Sequence, residues 1–196
     1  MKIIGITGGI GSGKTEVAKI FKKLGAKLIS ADQIGKEVVE KNLFVLKKLV
    51  KAFSHRILNK DKKLKRRELG KLVFSSIEER DKLNRIVHPY LLSSLKKKIK
   101  EYRKKDSGIV VVDAALIVEW GLQKELDYII LVESNIKNRL KRLKDNSGYS
   151  QKEALKRIRM QLEDKTRRKY SNYIIRNDKD LKELRRKAVA LWKKLN

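Results

Sequence analysis

The eight residues Gly8-Gly9-Ile10-Gly11-Ser12-Gly13-Lys14-Thr15 constrain this chain more than any other feature. They satisfy G-x-x-x-x-G-K-[ST], in which glycines let the backbone wrap around phosphate oxygens while the helix that follows aims its positive end at them. The surroundings match. An apolar, β-branched strand over residues 3–7 leads into the loop, and a helix with Val17, Ile20, Phe21 and Leu24 on one face leaves it. Gly8, Gly9, Gly11, Ser12, Gly13, Lys14 and Thr15 are therefore candidate nucleotide-binding residues, with Lys14 reaching the β- and γ-phosphates and the Thr15 hydroxyl on Mg²⁺. The pattern predicts a phosphoryl-transfer enzyme that uses ATP.

Four more apolar segments read as strands: 26–30, 109–113, 128–133 and 173–176. Helical patterns separate them, so the expected class is α/β, a parallel sheet with crossover helices. Pro89, the lone proline, interrupts none of the strands. The third strand ends in Asp113, the carboxylate that would help hold Mg²⁺ through water, although Asp also caps ordinary turns. About eighty residues separate the second strand from the third. That interval carries Val38, Leu43, Leu49, Phe53, Leu69, Val73 and Val87 at helical spacing and reads as a helical substrate-binding insert. A second insertion, 135–170, is rich in Arg and Lys on a helical frame and reads as a mobile lid. The expected domains are thus a core of 1–31, 108–134 and 171–196, an insert of 32–107 and a lid of 135–170.

Charge narrows the partners without choosing among them. With 51 Lys and Arg against 23 Asp and Glu the formal net charge is +28, which favours phosphorylated metabolites, nucleic acid and acidic membranes alike. Aromatic residues make up 6% of the chain, too few for stacking platforms, and there is no Arg- and aromatic-rich recognition segment, so no specific nucleic-acid partner is expected. The absence of cysteine excludes disulfides, thiolate metal sites and a Cys nucleophile. No apolar run is long enough for a signal peptide or a membrane span. A cytoplasmic protein with no membrane association is expected, a monomer or weak homo-oligomer.

The phosphate acceptor is not legible from the loop. Several segments in order resemble the dephospho-coenzyme A kinase family: residues 4–14; Ser30-Ala31-Asp32-Gln33-Ile34; Arg66-Arg67-Glu68-Leu69; His88-Pro89; Asp113-Ala114-Ala115-Leu116-Ile117-Val118-Glu119; Arg139 and Arg142; Gln161; and Asn177. The resemblance implies a P-loop kinase-like fold, a five-stranded parallel sheet flanked by helices with a helical acceptor-binding insert and a lid. It also implies transfer of the γ-phosphoryl of ATP to the ribose 3′-hydroxyl of dephospho-coenzyme A.

On that reading Asp32, just past the second strand, is the general base or hydroxyl-positioning group; it is also a suitable N-cap for a helix over 33–40. Arg139 and Arg142, three apart on a helix, reach the ATP phosphates, with Arg142 the stronger candidate for transition-state charge. Arg66, His88, Leu116 and Glu119 are acceptor contacts, with His88 equally readable as a turn residue held between two helices by Pro89. Asn177 is an adenine contact or a helix cap. Glu16 stands where a small hydroxyl residue is usual, close to the nucleotide. Other departures are Ala115 and Val118 in place of Pro and an aromatic, Asn172 in place of an acid, and Ser54 in place of Gly.

Overall fold

A computed structural model describes residues 1–105 and 108–196, excepting the side chains of Phe74 and Ser75. The expected insert boundary at Ser107 lies outside the described residues. The chain forms two compact units, residues 1–30 with 99–196, and residues 31–98.

The first unit is built on five parallel strands, β1 (Lys2–Thr7), β2 (Lys27–Ser30), β3 (Ile109–Asp113), β4 (Tyr128–Glu133) and β5 (Tyr173–Arg176), in the order β2-β3-β1-β4-β5. All five sequence-predicted strands form, β2 starting one residue later than expected. β1, β3 and β4 are buried almost throughout, as near-continuous apolar runs covered on both faces require. Period-two alternation then divides the side chains. Ile4, Ile6, Val111, Ile130 and Val132 share a cluster with Val17 and Phe21 of helix α1 (Lys14–Lys23) and Leu184 and Ala188 of the last helix, Leu181–Leu195. Phe21 meets Trp192 edge to face at 5.2 Å, and burying such a ring contributes about 1.5–3 kcal/mol.

Two polar residues pin the amino ends of the strands. Asp127 accepts from the Ile3 N–H (2.7 Å) and Asn172 from the Ile129 N–H (2.8 Å), each just before its own strand. Asn at 172, where the family resemblance leads one to expect an acid, supplies the same acceptor oxygen.

In the second unit follow α2 (Ala31–Lys41), α3 (Leu43–Phe53), a 3-10 turn (His55–Ile57), α4 (Arg66–Ser75) and most of α5 (Ile77–Arg103). Three sequence expectations need correction here. α2 starts at Ala31, so Asp32 lies inside its first turn rather than at the cap, where an acid still favours the positive helix end. Leu43 is 69% exposed; the Asn42 side chain caps α3 in a frame that buries Val45, Leu49 and Phe53 instead. Pro89 makes no turn. It sits inside α5, where the missing N–H costs one helical bond, and Val87, Leu91 and Leu95 are buried on either side of it. His88 is consequently a helix residue.

Ser54 carries the clearest backbone strain, with φ 69° and ψ 169°, a region essentially reserved for glycine. The position where the resemblance calls for Gly is thus one whose backbone calls for it too.

Segment 135–170 folds as α6 (Ile136–Ser147), α7 (Gln151–Arg159) and α8 (Asp164–Arg168), and the last helix, Leu181–Leu195, is α9. Asn135 caps α6, and Ser150 with Glu153 forms a reciprocal capping box on α7.

Candidate active site

The phosphate loop lies at the carboxyl end of β1, on the edge of an open α/β sheet where ligands bind. Ser30 and Asp113 stand opposite each other at the same edge of β2 and β3, and Asp113 also faces Ile6 of β1. Within the loop the Ser12 N–H is turned back onto the Gly9 carbonyl (3.1 Å). Among the described residues, the amides of Gly11, Gly13, Lys14 and Thr15 have no protein acceptor, and the buried Ser12 hydroxyl has no partner. Orphaned donors gathered at a helix start are what a phosphate needs, so the loop fits the ligand its pattern predicts.

Four side chains from outside fix the rest of the loop. Arg139 of α6 is buried and donates from Nε to the Ile10 carbonyl (2.8 Å). Arg142, one turn on, donates from Nη1 to Gly11 O (3.2 Å), Ser12 O (3.4 Å) and Ser134 Oγ (3.1 Å), and from Nη2 to Asn177 O (2.9 Å). Asn177, after β5, donates from Nδ2 to Ser12 O (2.8 Å). Gln161, in the turn after α7, accepts from the Ile10 N–H (2.7 Å). The close approach explains two glycines. A Cβ at Gly9 would strike the Arg139 guanidinium, and one at Gly13, already at φ 97°, would strike Asn177 Nδ2.

Arg139 and Arg142 therefore grip loop carbonyls. Burial lowers the pKa of both; Asp164 raises it again for Arg139, Asp178 for Arg142, and the neighbouring Arg167 opposes the charge of Arg139. Asn177 caps no helix, because α9 is capped by the Asp180 side chain. It is 5% exposed and bonded to the loop.

Sequence reasoning missed Arg167. It is 1% exposed and pairs through Nη2 with Glu119 (3.0 Å) and through Nη1 with Asp164 (3.2 Å), which also faces Arg139 at 3.6 Å. Glu119, expected to touch the acceptor, is thus the end of an ion-pair chain. Nothing local marked Arg167, which stands in the basic run Lys165-Thr166-Arg167-Arg168-Lys169. Gln161 was noted only as a family resemblance, with no role attached.

Thr15 is exposed at the start of α1, and Asp113 is 7% exposed at the end of β3. Among the described residues no cluster of three acidic, His or Cys side chains could hold a metal by itself. One hydroxyl and one carboxylate suit Mg²⁺, which keeps several waters and takes further oxygens from a substrate's phosphates. Leu116 is half-buried in the turn after β3, whose Ala115 carbonyl accepts from the Thr7 hydroxyl (3.0 Å); a proline at 115 would offer the same carbonyl. Glu16 faces Lys19 along α1 at 3.5 Å.

In the second unit Asp32 is exposed and Arg66, at the start of α4, is ion-paired with Glu40. His88 is half-buried on α5, and its burial lowers its pKa. 

The family model for dephospho-CoA kinase matches residues 2–183. A dephospho-CoA kinase of Dehalococcoides mccartyi is 36% identical over 185 residues, covering 94% of this chain and 93% of the relative. One of Clostridium tetani is 34% identical over 194 residues, covering 98% and 86%. Among solved structures, TT1252 of Thermus thermophilus superposes with a TM-score of 0.76 at 30% identity, covering 100% of this chain and 98% of that one. The fold extends to a shikimate kinase of Acinetobacter baumannii, with a TM-score of 0.54 at 11% identity and coverage of 100% and 93%.

Proposed function

The chain belongs to the dephospho-CoA kinase family, and from that premise we propose how its residues divide the ATP-dependent phosphorylation of dephospho-CoA, a reaction of coenzyme A biosynthesis. The match over residues 2–183 carries the assignment, because it takes in the phosphate loop and every other residue discussed at the site.

The donor half rests on the loop. Its unpaired amides and Lys14 hold the β- and γ-phosphates of ATP, while Thr15 and Asp113 would hold Mg²⁺. That ion, when bound, neutralises charge on the phosphates. Arg139 and Arg142 keep the loop in shape and place two positive charges beside it, with Asn177 supporting the Ser12 carbonyl that Arg142 also holds.

On the acceptor side, Asp32 takes the proton of the ribose 3′-hydroxyl as that oxygen attacks the γ-phosphorus. The bond from phosphorus to the oxygen bridging the β-phosphate breaks, and ADP leaves. An exposed carboxylate two residues past the end of β2 along the chain, in the first turn of α2, supports this role. Arg66, His88, Leu116 and Glu119 contact the acceptor. Residues 32–107 serve as the acceptor-binding domain, 135–170 as the lid, and the remainder as the nucleotide core. The protein works in the cytoplasm on small molecules, as a monomer or weak homo-oligomer and without a specific nucleic-acid partner. No helix among the described residues is long and apolar enough to cross a membrane.

An acceptor panel with ATP tests the assignment. Dephospho-CoA should be preferred by orders of magnitude, and equal turnover of nucleoside monophosphates would overturn it.

A further inference from the structure

Ile10 is the only loop residue among those described whose N–H and C=O are both held by side chains from segment 135–170. Gln161 Oε1 accepts its N–H at 2.7 Å, and Arg139 Nε donates to its carbonyl at 2.8 Å. The two residues come from different elements, the turn after α7 and the face of α6, and are separated from Ile10 by 151 and 129 positions. Arg139 is in turn anchored by Asp164, and Asp164 by the buried Arg167.

We propose that Gln161 is a positioning residue for ATP, which with Arg139 fixes the two peptide planes that meet at Ile10 so that the neighbouring loop amides stay aimed at the donor's phosphates. Each peptide plane is rigid; Gln161 holds the Gly9–Ile10 plane through the Ile10 N–H and Arg139 holds the Ile10–Gly11 plane through the Ile10 carbonyl, so together they fix φ and ψ of Ile10. The next amide along, that of Gly11, is one of those left without a protein acceptor. If the Ile10 N–H lost Gln161, the Gly9–Ile10 plane, whose carbonyl also receives the Ser12 N–H, could turn about Ile10, and the loop would have to be re-formed each time ATP bound. Binding then carries the ordering cost that a preformed loop avoids. Gln161 acts through Ile10 and need not touch the nucleotide.

The proposal rests on the kinase reading only for the identity of the ligand, so ATP binding is measured apart from turnover. Gln161→Met keeps the length of the side chain and removes the acceptor, whereas Gln161→Glu keeps an acceptor oxygen. Calorimetric titration with ATP should show the Met variant binding about five- to tenfold more weakly, the size expected for one lost hydrogen bond to a backbone amide, with the Glu variant closer to wild type. In kinetics with dephospho-CoA the loss should fall on KM for ATP, leaving KM for the acceptor unchanged. Placed on Arg139→Ala, Gln161→Met should add less than it does alone, because both act on the backbone of one residue. Met-variant affinity within twofold of wild type, equal losses in the Met and Glu variants, or full multiplication of the two effects would each overturn the proposal. Failure of the wild-type protein to turn over dephospho-CoA, with the ATP-binding pattern intact, would instead strike the acceptor assignment.

Discussion

The phosphate loop and the helical insert present their candidate residues in opposite ways. In the loop the main chain carries the unpaired donors, and side chains from three distant elements, Arg139 and Arg142 on α6, Gln161 after α7 and Asn177 after β5, lock it in place. In the insert the candidates are side chains on helix surfaces: Asp32 exposed in the first turn of α2, Arg66 ion-paired with Glu40 at the start of α4, and His88 half-buried on α5. A site made of backbone must be preorganised, since a peptide cannot change rotamer to meet its ligand. A site made of surface side chains pays its ordering cost when the ligand arrives. Mutations in the two regions should therefore fail differently, the loop through shape and the insert through chemistry.

The largest effect is expected in the insert. Asp32→Asn removes a proton acceptor with little change in size, and kcat should fall about 10²- to 10⁴-fold, with the melting temperature nearly unchanged. Steady-state kinetics and a thermal melt check both halves of that statement. Turnover near wild type in a folded protein would remove Asp32 from the chemistry and leave the insert with binding groups only.

Arg142→Ala probes the opposite behaviour. It strips donors from Gly11 O, Ser12 O and Asn177 O at once, and each hydrogen bond from a charged donor is worth about 1.5–3 kcal/mol, although such terms do not add. Both ATP affinity and stability should drop, the latter by about 2–3 kcal/mol on that principle. A variant that loses turnover while its denaturation midpoint and ATP affinity remain at wild-type values would show that Arg142 acts on the transition state rather than on loop shape.

The same contrast explains what could be read from the amino-acid sequence. The five strands were legible because buried parallel strands are short β-branched runs, and the loop because its eight residues are contiguous. Asn177 on Ser12 and Gln161 on Ile10 bridge 165 and 151 positions, and no local periodicity encodes such a pairing. Arg167 was hidden for a different reason, since a basic residue in a run of five polar residues looks like a solvated face until the fold buries it. Pro89 misled through propensity: a proline usually ends a helix, but the buried Val87, Leu91 and Leu95 keep α5 continuous. The acceptor residues rested on resemblance more than on physics, as expected of surface side chains without a fixed spacing.

Ser54 gives a smaller effect, confined to the insert. At φ 69° and ψ 169° a residue with a Cβ stores strain of about 1–3 kcal/mol. Ser54→Gly relieves it but gains backbone freedom in the unfolded chain, about 0.4–1 kcal/mol in the other direction. The hydroxyl also accepts from the exposed Arg56 Nε (3.1 Å), a contact worth little. Net stabilisation of about 1 kcal/mol should raise the melting temperature by roughly 2–4 °C, with ATP affinity unchanged. A lower melting temperature would show that the serine side chain holds the turn more firmly than its backbone strains it.

His88 separates the two regions by pH and gives the smallest effect expected. Burial lowers its pKa below the ordinary value of 6.5, because the charged ring is harder to accommodate than the neutral one. Between the folded value and 6.5 the unfolded chain binds more protons, so stability rises with pH across that window and is lost as pH falls from 6.5 toward the folded pKa. Above it, His88 is neutral in both states and contributes no slope. His88→Gln, which cannot titrate, should therefore lose less stability than wild type when pH is lowered from about 7.5 to 5.5, and the two curves should run parallel above about 7. The arginines around the loop stay protonated throughout the window, since even a lowered guanidinium pKa remains far above it. Any difference between the two proteins is thus assigned to the insert. Denaturation midpoints at four or five pH values decide the matter: identical slopes would mean that His88 is solvated in the folded protein and that its helix face is open to water.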